Sequence, residues 1–367
     1  MPRLKHLALM FLAGMMLNAT AFAVEYELET VATDLDQPWS VAMLPDASFL
    51  VTLRPGGLVH ISPEGEQTAI SGGPDTFYAG QGGYFDVVLH PDYAENGWLY
   101  LSYAHGDAEG NGTAIIRARL EDNRLVDMEQ ILLVSPLKDT PQHYGGRMAF
   151  KRDNTLLVTT GDGFEYREAA QDTNSELGKV LRITDSGAAP DDNPFPNAGK
   201  GRVFTYGHRN PQGLVIQART GDIYMHEHGP RGGDEVNHLI RGANYGWPMI
   251  SYGLDYSGAY VSPFTEAPGV ALPRMYWSPS IAPSGMAFYN GDLFPEWKGQ
   301  MFIGALVDQD VRRLVLEDGQ LIEEERLFRE LEQRIRDVRD LGDGYLYLLT
   351  DSATGSLIRV RPASRAQ

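Results

Sequence analysis

The sequence predicts an all-β fold: a six-bladed β-propeller whose four-stranded antiparallel blades surround a central channel. Three observations favour it. Short apolar runs recur six times, each recurrence keeps the same order of strand-like runs, and the recurrences begin 44 to 78 residues apart. Such a repeat is typical of propeller blades with loops of variable length. A β-sandwich also alternates strands with turns, but six ordered recurrences favour the propeller.

The middle run of each repeat follows a turn residue and alternates hydrophobic with polar positions, as a strand does. The six middle runs are residues 48–52, 97–103, 155–160, 222–226, 300–306 and 344–350. Each is followed by a run that usually carries a cation, at residues 58–61, 115–120, 180–183, 235–240, 311–316 and 357–360. Each is preceded by a third run, at residues 39–44, 85–89, 147–150, 213–216, 285–289 and 335–339. The repeating unit is therefore at least a three-stranded meander.

The loops that precede the first strand of every blade converge on one end of a propeller, near its axis. Polar residues with little reason to be in a core accumulate at this position. In chain order they lie in Gln37-Pro38, Gln81-Gly82-Gly83, His143-Tyr144-Gly145-Gly146, Arg209-Asn210-Pro211-Gln212, Ala282-Pro283-Ser284, and Arg334 with Arg336. We therefore expect a polar mouth at one end of the channel.

Composition and missing motifs exclude several classes of protein. A formal net charge of −18 argues against nucleic acid or anionic lipid as a partner. The chain has no cysteine, which excludes disulfides, thiolate catalysis and Cys-ligated zinc or iron–sulfur clusters. A Walker-type phosphate loop and the Gly-x-Ser-x-Gly elbow of serine hydrolases are also missing. An all-β repeat offers no strand–helix unit for a nicotinamide cofactor.

Residues 1–23 have the form of an export signal. Arg3 and Lys5 precede an apolar run at residues 7–17, and Ala21-Phe22-Ala23 offers a small-x-small cleavage site. No further apolar run approaches the roughly 20 residues that a membrane-spanning helix needs. We expect residues 24–367 to form a single propeller domain, a monomer in the periplasm without membrane insertion.

His143 is the candidate general base. An imidazole can take a proton near neutral pH, and Gly145-Gly146 lets the backbone pass close to a ligand. A single loop histidine usually only hydrogen-bonds its neighbours. Convergence on one mouth with Gln81, Asn210 and several arginines favours the catalytic interpretation.

Three cations surround the same mouth. Arg209, Arg334 and Arg336 suit a planar polyanionic ligand, or negative charge that develops during a reaction, because a guanidinium binds carboxylates in pairs and stacks on rings. Alternatively, the arginines and aspartates of residues 336–340 form ordinary ion pairs between blades.

Residues 226–235 are the densest polar run and the candidate metal site. Two histidines suggest zinc, but His226 and His228 stand two residues apart and lack the helical i, i+4 spacing of zinc metalloproteases. Carboxylates together with carbonyls exposed at Gly and Pro suit calcium, which takes six to eight oxygen ligands. We therefore favour calcium.

At these residues the chain closely resembles the soluble quinoprotein sugar dehydrogenases, the glucose/sorbosone dehydrogenase family, and most of all its compact bacterial aldose sugar dehydrogenase branch. The resemblance covers nearly all of residues 24–367. Its most specific segments are Gly80-Gln81-Gly82-Gly83, residues 86–91, His143-Tyr144-Gly145-Gly146-Arg147, residues 207–213, Glu227-His228-Gly229-Pro230 through Glu235, Asn244-Tyr245-Gly246-Trp247-Pro248, residues 279–285 and residues 334–338.

The resemblance implies calcium-dependent oxidation of aldose sugars at the anomeric carbon to lactones, with pyrroloquinoline quinone (PQQ) bound at the mouth. His143 matches the base that takes the hydroxyl proton while hydride passes to the quinone. Residues that match cofactor contacts are Gln81, Arg209, Asn210, Arg334 and Arg336. Gly229 and Pro230 match the carbonyls that hold the cofactor's calcium, and Glu235 and Tyr245 match ligands of a calcium nearby. An unidentified acceptor would then remove the electrons.

Two departures from the family pattern stand out. Tyr144 occupies a position where many relatives have Phe. Val307-Asp308-Gln309-Asp310 stands where the glucose-oxidising branch supplies a cofactor-contacting lysine, so we assign no lysine contact there and leave open whether Asp308 replaces it. The chain is also shorter than that branch, so neither its glucose preference nor its dimer contacts are carried over.

Two other functions fit the same scaffold. A calcium-dependent propeller lactonase would need no quinone, and a binding propeller would keep the fold without turnover. Retention of His143 together with Arg209-Asn210 argues against the binding propeller.

Overall fold

Six four-stranded antiparallel sheets follow one another in the computed structural model, which describes residues 24–317 and 320–364. Nearly every sheet is a meander of strands consecutive in sequence, and together they form a six-bladed β-propeller. The predicted fold class is confirmed. The predicted export signal, residues 1–23, lies outside the described residues.

Blades 1 to 3 follow a first strand, β1 (Tyr26–Leu35). Blade 1 consists of β2 (Pro38–Met43), β3 (Phe49–Leu53), β4 (Gly57–Ile61) and β5 (Gln67–Ile70). Blade 2 consists of β6 (Tyr84–Leu89), β7 (Leu99–Gly106), β8 (Asn111–Glu121) and β9 (Arg124–Leu133). Blade 3 consists of β10 (Gly145–Phe150), β11 (Leu156–Thr160), β12 (Lys179–Ile183) and β13 (Val203–Tyr206).

Blades 4 to 6 complete the ring. Blade 4 consists of β14 (Pro211–Ile216), β15 (Ile223–Glu227), β16 (Asp234–Leu239) and β17 (Met275–Trp277). Blade 5 consists of β18 (Pro283–Phe288), β19 (Met301–Ala305), β20 (Asp310–Glu317) and β21 (Gln320–Leu327). Blade 6 consists of β22 (Ile335–Asp340), β23 (Leu346–Thr350), β24 (Gly355–Pro362) and β1. Because β1 pairs with β24, both ends of the described chain contribute to one blade and close the ring.

Helical structure in the described residues is short. One α-helical turn spans Tyr93–Asn96, and 3₁₀ turns span Arg167–Gln171, Pro295–Trp297 and Arg329–Leu331. Across the described ranges, no helix has both the length and the apolar character to cross a membrane.

The core lies between neighbouring blades. Each of the six interfaces between blades holds one cluster of buried apolar side chains; for example, Leu50 and Leu58 of blade 1 pack with Val87, Leu101 and Ile116 of blade 2. Each such side chain contributes about 1.5–3 kcal/mol when fully buried. Six packed interfaces hold the blades in place, so the loops at the mouth rest on a rigid support.

Candidate cofactor and catalytic site

A cavity of about 440 Å³ opens at the predicted mouth, and every blade contributes to it from the start of its inner strand. Its lining residues are Gln37, Trp39, Arg54, Gly80, Gln81, Phe85, Tyr144, Gly145, Asn210, Gln212, His228, Ala282, Leu306, Val307, Arg334, Arg336 and Asp351. Four residues that the sequence singled out as cofactor contacts are therefore brought together here: Gln81, Asn210, Arg334 and Arg336. The fifth, Arg209, lines a small recess that shares His228 with this cavity.

His143 directly precedes the cavity-lining residues Tyr144 and Gly145. Its φ of 51° lies in the left-handed region that non-glycine residues rarely adopt. The His143 amide donates to Oε1 of Gln81 at 2.8 Å. Gly161 allows the close approach of this loop, because a Cβ there would lie 2.0 Å from the His143 carbonyl oxygen. Contacts from two blades thus hold the strained loop in place.

A buried carboxylate orients the His143 ring. Nδ1 of His143 lies 2.6 Å from Oδ1 of Asp162, whose side chain is fully buried. Asp162 also accepts hydrogen bonds from the indole Nε1 of Trp247 and from the amide of Phe164, each at 2.8 Å. A carboxylate with several donors stays ionised and fixes the proton of the imidazole on Nδ1. Nε2 of His143 is then the atom that can accept a proton.

The electrostatics favour a neutral imidazole beside an ionised carboxylate. Burial lowers the pKa of His143 below its ordinary value, and the positive charge of Arg209 acts in the same direction, although the hydrogen bond to Asp162 opposes both. Burial alone would raise the pKa of Asp162, but the hydrogen bond and charge of His143 hold that pKa below its usual range. The pair is arranged as a general base and its orienting group.

Three arginines and one aspartate form a mouth cluster of Arg54, Arg334, Arg336 and Asp351. Nε of Arg334 and Nη2 of Arg336 donate to the two carboxylate oxygens of Asp351 at 2.8 and 3.0 Å. Burial would raise the pKa of Asp351, but these two ion pairs outweigh it and lower the pKa. Arg54 donates to the carbonyl of Gly80 at 2.8 Å. With three cations for one carboxylate, the cluster presents excess positive charge to the cavity.

Aromatic rings also line this cavity. Trp39, Phe85 and Tyr144 form a continuous row, with ring centroids 5.6 Å apart for Trp39 and Phe85 and 5.4 Å apart for Phe85 and Tyr144. Flat apolar faces beside arginines suit a planar ligand that carries carboxylates.

The small recess next to the cavity contains the predicted metal ligands. Its volume is about 10 Å³, roughly the room that one water or ion needs. Gly229, Pro230, Glu235 and Tyr245 all line it, together with Glu227. The carbonyl of Gly229 accepts a hydrogen bond from Nη1 of Arg209 at 2.7 Å, and its second lone pair is available to a cation.

The two glutamates of the recess fit a cation between them. Burial, followed by the negative charge of Glu227, raises the pKa of Glu235 well above its ordinary value. The hydroxyl of Tyr245 donates to the His238 carbonyl at 2.7 Å and accepts from the Ile240 amide at 2.8 Å, which leaves the main-chain carbonyl of Tyr245 as the candidate ligand. Within residues 24–317 and 320–364, no three His, Asp or Glu side chains form a metal-binding group by themselves. A cation here would depend on main-chain oxygens as well as carboxylates.

The surroundings of His226 and His228 do not favour a zinc site. Nε2 of His228 lies 2.6 Å from the carbonyl of Pro283, which makes it a donor rather than a metal ligand. His226 is fully buried. The preference for oxygen ligands over histidine nitrogens agrees with this geometry.

The structure shows the contacts of Tyr144 and Asp308, the two residues at which the chain departs from the family pattern. The Tyr144 hydroxyl donates to Oδ1 of Asn111 at 2.6 Å, so it is taken up by a buried contact. Asp308 pairs with Arg312 and Arg326 of blade 5, while its neighbours Leu306 and Val307 line the cavity. Asp308 is therefore not among the residues that line the cavity.

Sequence reasoning missed Asp162, Arg54 and Asp351, and it singled out Trp247 only as part of a family segment, without a role in the site. Arg54 and Asp351 each directly follow a middle strand, and Asp162 lies two residues after the end of another. The loop after a middle strand reaches the same end of the blade as the loop before the inner strand. The repeat could therefore have located Asp162, Arg54 and Asp351 as well. Trp247 comes from the long excursion between β16 and β17, whose path no repeat predicts.

Comparison with known proteins agrees with this site. The glucose/sorbosone dehydrogenase family model matches residues 35–359. The aldose sugar dehydrogenase YliI of Escherichia coli is 42% identical over 347 residues, which cover 91% of this chain and 92% of the relative. The crystal structure of the soluble aldose sugar dehydrogenase from Escherichia coli in its apo-form has a TM-score of 0.89 and 41% identity, covering 92% of this chain and all of that one.

A more distant structure is the PQQ-bound form of aldose sugar dehydrogenase from Streptomyces coelicolor, with a TM-score of 0.75 and 26% identity over 92% of this chain and 99% of that one. Fold and sequence agree along almost the whole described length. The chain belongs to the glucose/sorbosone dehydrogenase family.

Proposed function

We propose that this protein is a PQQ- and calcium-dependent aldose sugar dehydrogenase that oxidises the anomeric carbon of sugars to lactones. One observation carries the proposal: the His143–Asp162 pair lies beside a cavity whose aromatic rings and excess arginines fit a planar polycarboxylate. Relatives that are aldose sugar dehydrogenases, one of them with PQQ bound, support the same reaction class.

The residues of the mouth fit the cofactor. Arg54, Arg334 and Arg336 would hold its carboxylates, and the Trp39, Phe85 and Tyr144 rings would lie against its planar system. Gln81 and Asn210 would add amide hydrogen bonds. When bound, PQQ supplies a two-electron acceptor for the hydride of the anomeric carbon.

The recess fits calcium. Carbonyls of Gly229 and Pro230 would hold the ion nearest the cofactor, and Glu235 with the carbonyl of Tyr245 would bind a second ion nearby. A positive charge between Glu227 and Glu235 would also relieve the mutual repulsion that raises the pKa of Glu235.

His143 is the proposed base. Nε2 takes the proton of the anomeric hydroxyl as the C–O bond gains double-bond character, and Asp162 stabilises the resulting imidazolium. The cyclic hemiacetal thereby loses one proton and one hydride and becomes a lactone. Arg209, whose positive charge acts on the His143 imidazole, would also hold positive charge near the oxygen that loses its proton.

We propose that residues 1–23 direct export to the periplasm and that residues 24–367 form one domain, active as a monomer. An unidentified electron acceptor then restores the oxidised enzyme.

The deciding experiment adds PQQ and Ca²⁺ to purified apoprotein and measures the reduction of an artificial electron acceptor with a panel of aldoses. We expect turnover that requires both additions. Absence of turnover with every sugar, or lactone hydrolysis without added cofactor, would overturn the dehydrogenase in favour of a binding protein or a lactonase, respectively.

A further inference from the structure

Lys138 is a buried cation next to the wall of the cofactor cavity. It is only 2% exposed and does not itself line the cavity. Its ammonium nitrogen, Nζ, lies 3.6 Å from the centre of the Tyr144 ring, which does line the cavity. A cation at this distance over an aromatic face is attracted by the electrons of the ring. Lys138 therefore places a positive charge one side chain away from the cavity.

A network of hydrogen bonds holds this ammonium in place. Nζ donates to Oδ1 of Asn111 at 2.8 Å and to the main-chain carbonyl of Thr140. The Tyr144 hydroxyl donates to the same Oδ1 at 2.6 Å, so Asn111 connects the cation to the ring. The main chains of Asn111 and Lys138 also exchange two hydrogen bonds, at 2.7 and 2.9 Å. The charge is therefore fixed before any ligand binds.

The surroundings of Lys138 leave its charge without a close counter-charge. Burial lowers the pKa of Lys138 to about 7, while the carboxylates of Asp162 and Asp139 act in the opposite direction. Among the described residues, neither carboxylate accepts a hydrogen bond from Nζ. A buried charge without a paired partner is costly, so a neutral side chain would serve a purely structural role at lower cost. An anion in the neighbouring cavity would supply the missing counter-charge and raise the pKa of Lys138.

We propose that Lys138 is a positioning residue that favours the reduced form of the quinone cofactor over its oxidised form, and that it acts through the Tyr144 ring. The inference rests on the proposed PQQ binding and adds a residue that tunes the reduction potential.

Two physical effects of the Lys138 charge support this role. A hydride carries two electrons and one proton, so the bound ligand gains one negative charge when it accepts the hydride. A fixed positive charge nearby stabilises this product more than the oxidised ligand. The ammonium also draws the electrons of the Tyr144 ring toward itself. The ring then stacks more favourably on an electron-rich reduced cofactor than on an electron-poor quinone.

The test is the reduction potential of bound PQQ, measured by spectroscopic titration of the loaded protein against redox dyes of known potential. Lys138→Gln removes the charge but keeps amide donors for the carbonyls of Asn111 and Thr140. We expect its potential to lie about 30 mV below that of the wild type, which corresponds to roughly a tenfold change in the equilibrium of a two-electron couple. Lys138→Arg restores the charge and Tyr144→Phe keeps the ring, so each should change that equilibrium by less than about twofold.

Lys179→Gln is the matched control. Lys179 is fully buried like Lys138, and burial lowers its pKa to about 7 as well. Within the described ranges its ammonium lies over no aromatic ring and donates instead to the carbonyls of Ala169, Ala170 and Leu177. Lys179→Gln should lower the free energy of unfolding, measured with urea, and leave the potential of bound PQQ unchanged. Should Lys138→Gln fail to fold, Lys138→Met fills the same space with an apolar chain and has the same expected loss of potential.

Sugar oxidation by the wild type separates this inference from the proposed function. An unchanged potential in Lys138→Gln, with lowered stability alone, would overturn the tuning role and leave a sugar-oxidising dehydrogenase intact. A lower potential in Lys138→Gln without oxidation of any aldose by the wild type would support the tuning role and overturn the dehydrogenase. Failure of the wild type to bind PQQ would overturn both.

Discussion

Two groups of arginine and aspartate lie close together near the axis of the propeller, yet their surroundings differ. The channel quartet consists of Asp86, Arg147, Asp337 and Arg339 on three inner strands. Its two arginines match two aspartates, with Arg147 3.0 Å from Asp337 and Arg339 2.6 Å from Asp86. Both aspartates are completely buried. The quartet is balanced in charge and closed to ligands.

The mouth cluster has the same residue types in a different ratio. Arg334 and Arg336 pair with its one carboxylate, Asp351, while Arg54 pairs with no carboxylate among the described residues, and all four side chains line the cavity. Trp39 separates the two groups, because it lines the cavity and also stacks on the Arg147 guanidinium at 4.0 Å. The comparison teaches that charge balance distinguishes an ion network that holds blades together from one that awaits an anionic ligand.

The largest expected effect is on the channel quartet. Arg147→Met leaves Asp86 and Asp337 buried with only one cation between them, so the free energy of unfolding should fall by about 3–5 kcal/mol. Urea denaturation of the two proteins measures this. Arg336→Met, a matched change in the mouth cluster, should lower the free energy of unfolding by about 1 kcal/mol or less. If the free energy of unfolding fell equally in both variants, the channel quartet and the mouth cluster would not differ in their contribution to stability.

The next effect is on the base. Asp162→Asn should lower kcat about tenfold to a hundredfold, because an amide does not hold the His143 ring in the same tautomer. The base must be neutral, so kcat/KM falls as the pH drops through the pKa of His143. Burial lowers that pKa, so the acid limb of the wild-type profile should lie below the ordinary histidine value of 6.5.

Asp162 raises the pKa of His143, so the Asp162→Asn limb should move to still lower pH. A pH profile of kcat/KM checks this direction. A limb that moves to higher pH would mean that Asp162 does not act on the base through its charge.

A smaller effect sharpens the role of the mouth cluster. Arg336→Gln removes one charged contact from the cofactor site and should weaken PQQ affinity about tenfold, while Arg334 still neutralises Asp351. Quenching of tryptophan fluorescence by added PQQ measures the affinity, since Trp39 lines the cavity. Unchanged affinity would make Arg336 a structural ion-pair partner like those of the channel quartet.

The smallest effect concerns Tyr144. Tyr144→Phe removes the hydrogen bond to Asn111, which Lys138 also satisfies at 2.8 Å, so the free energy of unfolding should fall by about 1 kcal/mol. The hydroxyl serves a buried contact, so kcat should change by less than about twofold. A larger loss of kcat would place this hydroxyl in the reaction.

Much of this comparison could be predicted from the sequence. The six repeats placed the three inner strands of each blade correctly, and the position before each inner strand predicted the mouth that gathers Gln81, Asn210, Arg334 and Arg336. Four-stranded blades were predicted, but the fourth strands were not located; β5 and β17, with four and three residues, are too short to give a clear pattern. Closure of the ring by β1 was missed because it joins distant parts of the chain.

The two ion groups show where sequence reasoning stops. Residues 336–340 were compatible with ordinary ion pairs between blades, and this proves correct for Asp337 and Arg339 but not for Arg336. Successive side chains of a strand point in opposite directions, so neighbours in sequence enter different surroundings. The residue that pairs with each arginine comes from another part of the chain, so the pairs can be identified only from the folded structure.

A single turnover tests whether the protein is a quinone-dependent sugar dehydrogenase with His143 as its base. Enzyme loaded with PQQ and Ca²⁺ is mixed with an aldose in the absence of any electron acceptor. In the wild type, the absorbance of the bound oxidised cofactor should change to that of the reduced cofactor, with one equivalent reduced per active site. His143→Gln should bind the cofactor normally and react at least about a hundredfold more slowly. Equal rates in the two proteins, or no spectral change with any aldose, would contradict the account.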